Sequence, residues 1–94
     1  MYIVSLNYTR PLEEVEAVLD AHLAWLDKYF EAGVFIAAGR KDPRTGGVII
    51  AADIDRERLN TILAEDAFQA VADYEVTKVN VTRAAGEYAT LVGK

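Results

Sequence analysis

The sequence predicts an α+β fold with the element order β-α-β-β-α-β. Three observations predict it: strand-like alternation near both ends of the chain, helical apolar periodicity in two internal segments, and a hairpin signal between those segments. The sheet of such a fold is antiparallel and carries its two helices on one face. This arrangement is the ferredoxin-like sandwich.

The first strand is expected at residues 2–8, where β-branched and aromatic residues occur with a period of two. Ser5 and Asn7 share one face of this strand, opposite a more apolar face. Thr9 and Pro11 then give a helix start, because proline is tolerated in the first helical turn.

One long helix is predicted next, from Leu12 to about Glu31. Its apolar residues recur at i, i+3, i+4 and i+7, and Gly33 supplies a C-terminal stop. The apolar stripe consists of Val15, Val18, Leu19, His22, Leu23, Leu26, Tyr29 and Phe30.

A β-hairpin is predicted from two apolar runs, residues 34–38 and 48–52. The segment between them contains Asp42-Pro43 and Gly46-Gly47, which are turn signals of a loop longer than the tightest hairpins.

A second helix follows the hairpin, capped by Asp53 or Asp55, and its apolar residues repeat at helical spacing from Leu59. The last strand is expected at residues 73–82. The tail, residues 84–94, is either frayed or crosses to a partner subunit.

Length and composition limit the classes of function. The 94 residues are expected to form one domain, with a core at 1–83 and the tail beyond it. A net charge of −5 argues against a nucleic-acid partner, which needs cationic residues along the phosphate backbone. No apolar run approaches the roughly 20 residues that cross a bilayer, and no basic leader is present. We expect a soluble, cytoplasmic protein.

The assembly is predicted from one strand. Residues 48–52 are apolar on both faces, and a strand of this kind is usually covered on both sides. A second copy of the chain, packed sheet on sheet, is the simplest cover for the face that lacks helices. We therefore expect a homodimer resembling a dimeric α/β barrel, or a higher oligomer.

His22 is the only histidine, and it lies near the middle of the first helix's apolar stripe. Two interpretations stay open. In one, the ring is a core histidine held by a backbone carbonyl or water; in the other, it is a catalytic group. With one histidine and no cysteine, neither a metal site nor a cofactor is expected.

Asp66 is the second catalytic candidate. If the second helix runs one turn further, Asp66 continues the stripe of Leu59, Ile62 and Leu63, where a hydrophobic residue is expected. An isolated buried carboxylate is costly, so an inward Asp66 would need a partner such as His22. The alternative is that Asp66 ends the helix in solvent.

Four further residues are candidates for contacts with a small-molecule ligand. Ser5 and Asn7 would line a polar pocket or simply face water. Gly39 and Arg40 end the second strand, where Arg40 would hold an anionic ligand or remain a solvated loop residue.

The chain resembles the YCII-related (YciI-like) proteins over roughly residues 1–82. The resemblance rests on an opening strand followed by Arg-Pro, the helix segment AHLAWLDKYFEAG, the strand end IAAGR, the return GGVIIA and the segment EDAF.

The resemblance implies a ferredoxin-like dimer with a cleft near the subunit interface. It also implies an active site that pairs His22 with Asp66, the latter in the position of a D-P-[FY] motif. The chain departs from that motif at Ala67, which would let the helix run on where proline would stop it. One branch of the family looks like a dehydrochlorinase of a chlorinated hydroxyquinol.

Two functions therefore remain open. The first is a cofactor-free enzyme, lyase or hydrolase-like, in which His22 and Asp66 perform acid–base chemistry on a small molecule, for example an aromatic one. The second is a non-catalytic dimeric module that binds a small ligand or is purely structural.

Overall fold

Seven regular elements and two short 3₁₀ helices make up the computed structural model, which describes residues 1–93. The strands and α-helices are β1 (Tyr2–Tyr8), α1 (Leu12–Ala17), α2 (Leu19–Glu31), β2 (Phe35–Arg40), β3 (Gly46–Ala51), α3 (Arg56–Ala64) and β4 (Ala72–Lys78). The 3₁₀ helices span Ala67–Ala70 and Gly86–Leu91.

The four strands form one antiparallel sheet in the order β2-β3-β1-β4. The helices pack on one face of it, because the buried residues of β1 alternate and share a core with buried residues of all three α-helices. The predicted α+β class with an antiparallel sheet is therefore confirmed. Within residues 1–93, no helix has the length and apolar character needed to span a membrane.

The single long helix predicted at residues 12–31 is wrong, because the chain breaks it at Val18. This residue has φ −114° and ψ 9°, outside the helical range, and its N–H donates to the carbonyl of Val15, only three residues back. The apolar periodicity continues through the break, so the sequence pattern does not reveal it. As a consequence, α2 begins at Leu19 and His22 lies in its first turn.

Smaller differences concern the later elements. Helix α3 ends at Ala64 and does not extend through Asp66, and β4 ends at Lys78 rather than at residue 82. The tail contains a 3₁₀ helix at Gly86–Leu91, while Lys94 lies outside the described residues.

The two glycines that begin β3 are required because the backbones of the neighbouring strands lie very close to them. A Cβ atom at Gly46 would lie 1.8 Å from the backbone oxygen of Leu6, and one at Gly47 would lie 2.9 Å from that of Gly39. Gly39, in contrast, has no other atom within 4 Å of the position of a Cβ.

We therefore expect Gly46→Ala to lower the free energy of unfolding by about 1–3 kcal/mol, since β1 and β3 must separate locally. Gly39→Ala is the matched control and should change it by less than about 0.5 kcal/mol. Urea denaturation of the two variants measures the difference, and equal midpoints would contradict the close approach.

Candidate functional site

Asp66 is positioned by the chain that follows α3. After the helix ends, Asp66 adopts an extended conformation, φ −71° and ψ 130°, and its Oδ1 accepts a hydrogen bond from the N–H of Phe68 at 3.0 Å. This cap starts the 3₁₀ helix at Ala67–Ala70. The expectation that Ala67 lets the helix run on is therefore wrong. The aspartate side chain itself stabilises the bend for which proline would be suited.

The predicted contact between Asp66 and His22 is present. Nδ1 of His22 lies 2.7 Å from Oδ1 of Asp66, and the two residues are 8% and 2% exposed. The sequence predicts this contact from a continuation of the second helix, and that reason is wrong, since Asp66 does not lie on a helical stripe. The bend after α3, rather than an added helical turn, directs the carboxylate inwards.

Tyr74 of β4 completes this group, although the sequence patterns did not predict its place there. Its hydroxyl donates to Oδ2 of Asp66, so the carboxylate receives bonds from Tyr74, Phe68 and His22. Burial, and then the hydrogen bond to Asp66, raise the pKa of Tyr74 above its ordinary value. The phenol consequently stays protonated and remains a donor. The alternation of β4 is the signal that places Tyr74 on the helix-covered face.

The hydrogen bonds determine the tautomer of the neutral histidine ring. An ionised carboxylate only accepts hydrogen bonds, so the proton between the two side chains belongs to Nδ1 of His22. Nε2 is then the unprotonated nitrogen, on the opposite edge of the ring. Within residues 1–93 it has no hydrogen-bond partner, and His22 lines a cavity. Nε2 is therefore the nitrogen available to a ligand as a proton acceptor.

Aromatic rings hold the imidazole in place. Phe68 stacks on His22 with a centroid separation of 3.7 Å and an interplanar angle of 2°. The ring centroid of Trp25, also on α2, lies 5.7 Å from that of His22. Nε1 of Trp25 donates to the carbonyl of Ile62 at 2.9 Å. The ring is thus oriented by packing as well as by Asp66, which is the support that a precisely placed catalytic group requires.

The cavity beside His22 has a volume of about 190 Å³. Its walls come from the start of α2, the adjoining ends of three strands and the ring of Phe68 in the first 3₁₀ helix. Most of the lining is apolar; the residues are Leu6, Tyr8, Leu19, His22, Leu23, Leu26, Ala38, Gly39, Arg40, Gly47, Val48, Ile49 and Phe68.

The four remaining candidates separate into two pairs. Gly39 and Arg40 line the cavity together with His22. Ser5 and Asn7 are absent from the lining, and both accept hydrogen bonds from the ammonium group of Lys41, at 2.8 Å each. Their strand alternates, so they lie on the face away from the helices. Among residues 1–93, no cluster of three His, Cys, Asp or Glu side chains is arranged to hold a metal ion.

The hydroxyl of Tyr74 gives a test of how the carboxylate is held. Tyr74→Phe leaves Oδ2 of the buried Asp66 without its donor, so we expect a loss of about 1–3 kcal/mol in the free energy of unfolding. Tyr88→Phe is the control, because Tyr88 is 55% exposed. Denaturant melts of both variants measure this loss; an unchanged midpoint for Tyr74→Phe would show that the bond contributes nothing.

Fold and site together define a small α+β protein with a buried histidine–aspartate pair at the edge of an apolar cavity. The family model described as the YCII-related domain matches residues 1–82, and the chain belongs to that family. The resemblance noted in the sequence is thereby confirmed, and both His22 and Asp66 fall inside the matched range. No curated protein matches the chain.

Proposed function

We propose that this protein is a cofactor-free enzyme in which His22 moves a proton to and from a small molecule bound in the cavity. The observation that carries the proposal is the arrangement of the imidazole. Nδ1 is bonded to a buried carboxylate at 2.7 Å, and the ring lines an apolar cavity with its other nitrogen unpaired within residues 1–93. This is the geometry of a general base oriented by a second group.

Each residue has a distinct task in this proposal. Nε2 of His22 accepts a proton from the substrate and later returns one, so His22 is the catalytic residue. Asp66 is a positioning residue that fixes the tautomer and stabilises the imidazolium formed during the reaction. Tyr74 and the N–H of Phe68 hold the carboxylate in place. The chemistry is of the lyase or hydrolase kind.

The cavity supports a substrate of the size of one ring. A volume of about 190 Å³ compares with roughly 150 Å³ for an engineered apolar cavity that holds benzene. A single six-membered ring with a few substituents fits this space. The ring of Phe68 and the aliphatic side chains of the lining suit a flat, apolar body.

A screen for proton exchange tests the proposal even though the product is unidentified. Small enolisable and phenolic compounds are incubated with the protein in D₂O, and loss of their exchangeable C–H signals is followed by NMR. We expect at least one compound of single-ring size to exchange faster with the protein than with free imidazole at the same concentration. If the protein accelerates exchange in none of them, the acid–base function is refuted.

The fold and the assembly are part of the same proposal. The order β2-β3-β1-β4 supports a ferredoxin-like sandwich. On the sheet face away from the helices, Ile3 and Ile50 are only half-buried, and this supports a barrel-like homodimer. Sedimentation analysis should show a dimer that Ile50→Lys dissociates; a monomeric wild type would contradict it.

The lack of cysteine supports a cytoplasmic location.

The second candidate is a non-catalytic ligand-binding or structural module. It is favoured by the completeness of the buried hydrogen bonds: both oxygens of Asp66 are satisfied within the protein. A purely structural pair would stabilise the fold when intact and would show no proton exchange in the screen. The same experiment therefore separates the two candidates.

A further inference from the structure

One row of residues crosses all four strands beneath the helices. Leu6 of β1 is the register partner of Tyr74 on one side and of Gly47 on the other, and Gly47 pairs in turn with Arg40. Directly paired residues project from the same face of a sheet, so this row lies on the face that carries Leu6 and the core. Tyr74 and Arg40 stand at its two ends.

The interior of this row is open. Gly47 contributes no side chain between Leu6 and Arg40, and the cavity occupies this place. The ends of the row are three strand spacings apart, about 14 Å between Cα atoms. The end at Tyr74 holds the Asp66–His22 pair, and the other end holds a guanidinium group. The histidine–aspartate pair and the positive charge of Arg40 thus lie toward opposite ends of one row of residues, and both His22 and Arg40 line the cavity.

Arg40 differs from the basic residues near it. Arg44 pairs with Glu16, Arg10 pairs with Glu14, and Lys41 donates to polar side chains of β1. Within residues 1–93 the guanidinium of Arg40 makes no hydrogen bond, ion pair or ring contact. Arg40 is therefore a permanent positive charge with five free N–H donors at a cavity whose other walls are mainly apolar.

We propose that Arg40 binds the anionic group of the substrate, and that the site accepts single-ring carboxylates in preference to neutral analogues. This inference rests on the proposed function and specifies its substrate class. A planar guanidinium pairs with a carboxylate through two parallel hydrogen bonds, which fixes direction as well as affinity. The ring then lies across Gly47 against the apolar walls, with its far side toward Nε2 of His22.

The test compares matched acids and amides on the full chain. Benzoate, phenylacetate and 3-phenylpropionate are titrated against benzamide, phenylacetamide and 3-phenylpropionamide, with binding followed by ¹H–¹⁵N NMR. We expect at least one carboxylate to bind about tenfold more tightly than its amide. Arg40→Gln should remove this preference while leaving the affinity for the amide unchanged.

Two control variants separate this inference from the proposed function. Arg10→Gln removes an arginine of equal charge outside the cavity and should keep the preference, which rules out an effect of net charge. His22→Gln should also keep it, because the anion is held by Arg40. If the preference persists in His22→Gln and the wild-type protein shows no proton exchange with any compound, the anion site stands and the enzyme is refuted. Equal affinities for acid and amide, a preference that survives in Arg40→Gln, or no binding of any probe would overturn the inference.

Discussion

Asp66→Ala is expected to lower the free energy of unfolding by about 3–5 kcal/mol, because it removes one partner of a buried, hydrogen-bonded pair. The substitution removes the acceptor for three donors at once: the hydroxyl of Tyr74, the N–H of Phe68 and Nδ1–H of His22. It also removes the cap that bends the chain between α3 and β4. Urea denaturation followed by circular dichroism measures the loss.

The control for this result is a carboxylate of the same type on the surface. Among residues 1–93, Asp53 makes only an exposed ion pair with Lys78, at 3.3 Å. Asp53→Ala should therefore cost less than about 1 kcal/mol. If Asp66→Ala also costs less than that, the carboxylate is not held by the three buried donors. Asp66→Asn retains oxygen as an acceptor and should fall between the two values.

The second large effect concerns catalysis. His22→Gln should reduce the rate of proton exchange by about 10²–10⁴-fold, because it removes the nitrogen that accepts the proton in the proposed reaction. Glutamine is close to histidine in length and keeps an N–H donor for Asp66, so the core should stay folded. The rate is measured in D₂O on a compound that exchanges with the wild-type protein.

Asp66→Asn provides the positioning counterpart. Exchange should fall less than in His22→Gln, because the amide oxygen still accepts the hydrogen bond from Nδ1 but no longer stabilises the imidazolium formed in the reaction. Tyr29→Phe, on the far side of Trp25 and hydrogen-bonded to Glu65, should exchange at the wild-type rate. A His22→Gln variant as active as the wild type would remove His22 from the chemistry.

The strands were the most predictable part of the fold. Alternation in residues 2–8 identified β1 and, with it, the face of Leu6 and the opposite face of Ser5 and Asn7. The sequence left open which role the polar face would have, because alternation does not say which side the helices cover. The prediction of one continuous helix at residues 12–31 is wrong for a different reason. A break at one β-branched residue leaves the apolar spacing intact, so periodicity alone does not detect it.

The site was predicted in part, and for a partly wrong reason. His22 and Asp66 do meet, yet the link between them depends on a bend that the side chain of Asp66 makes with the N–H of Phe68. Such a local bond competes with helix propagation and is not visible in helical spacing. Tyr74 is 52 residues from His22 and joins the site only through the pairing of β4 with β1. Single-residue patterns do not contain that information.

The tautomer of His22 tests the central claim most directly. The protein has one histidine, so long-range ¹H–¹⁵N correlation spectra show its two ring nitrogens without ambiguity. At a pH where the ring is neutral, we expect a protonated Nδ1 and an unprotonated Nε2, and we expect Asp66→Asn to change this pattern. A proton on Nε2 instead, or spectra that are identical in Asp66→Asn, would contradict the account, because the nitrogen that is not bonded to Asp66 could not then act as the base.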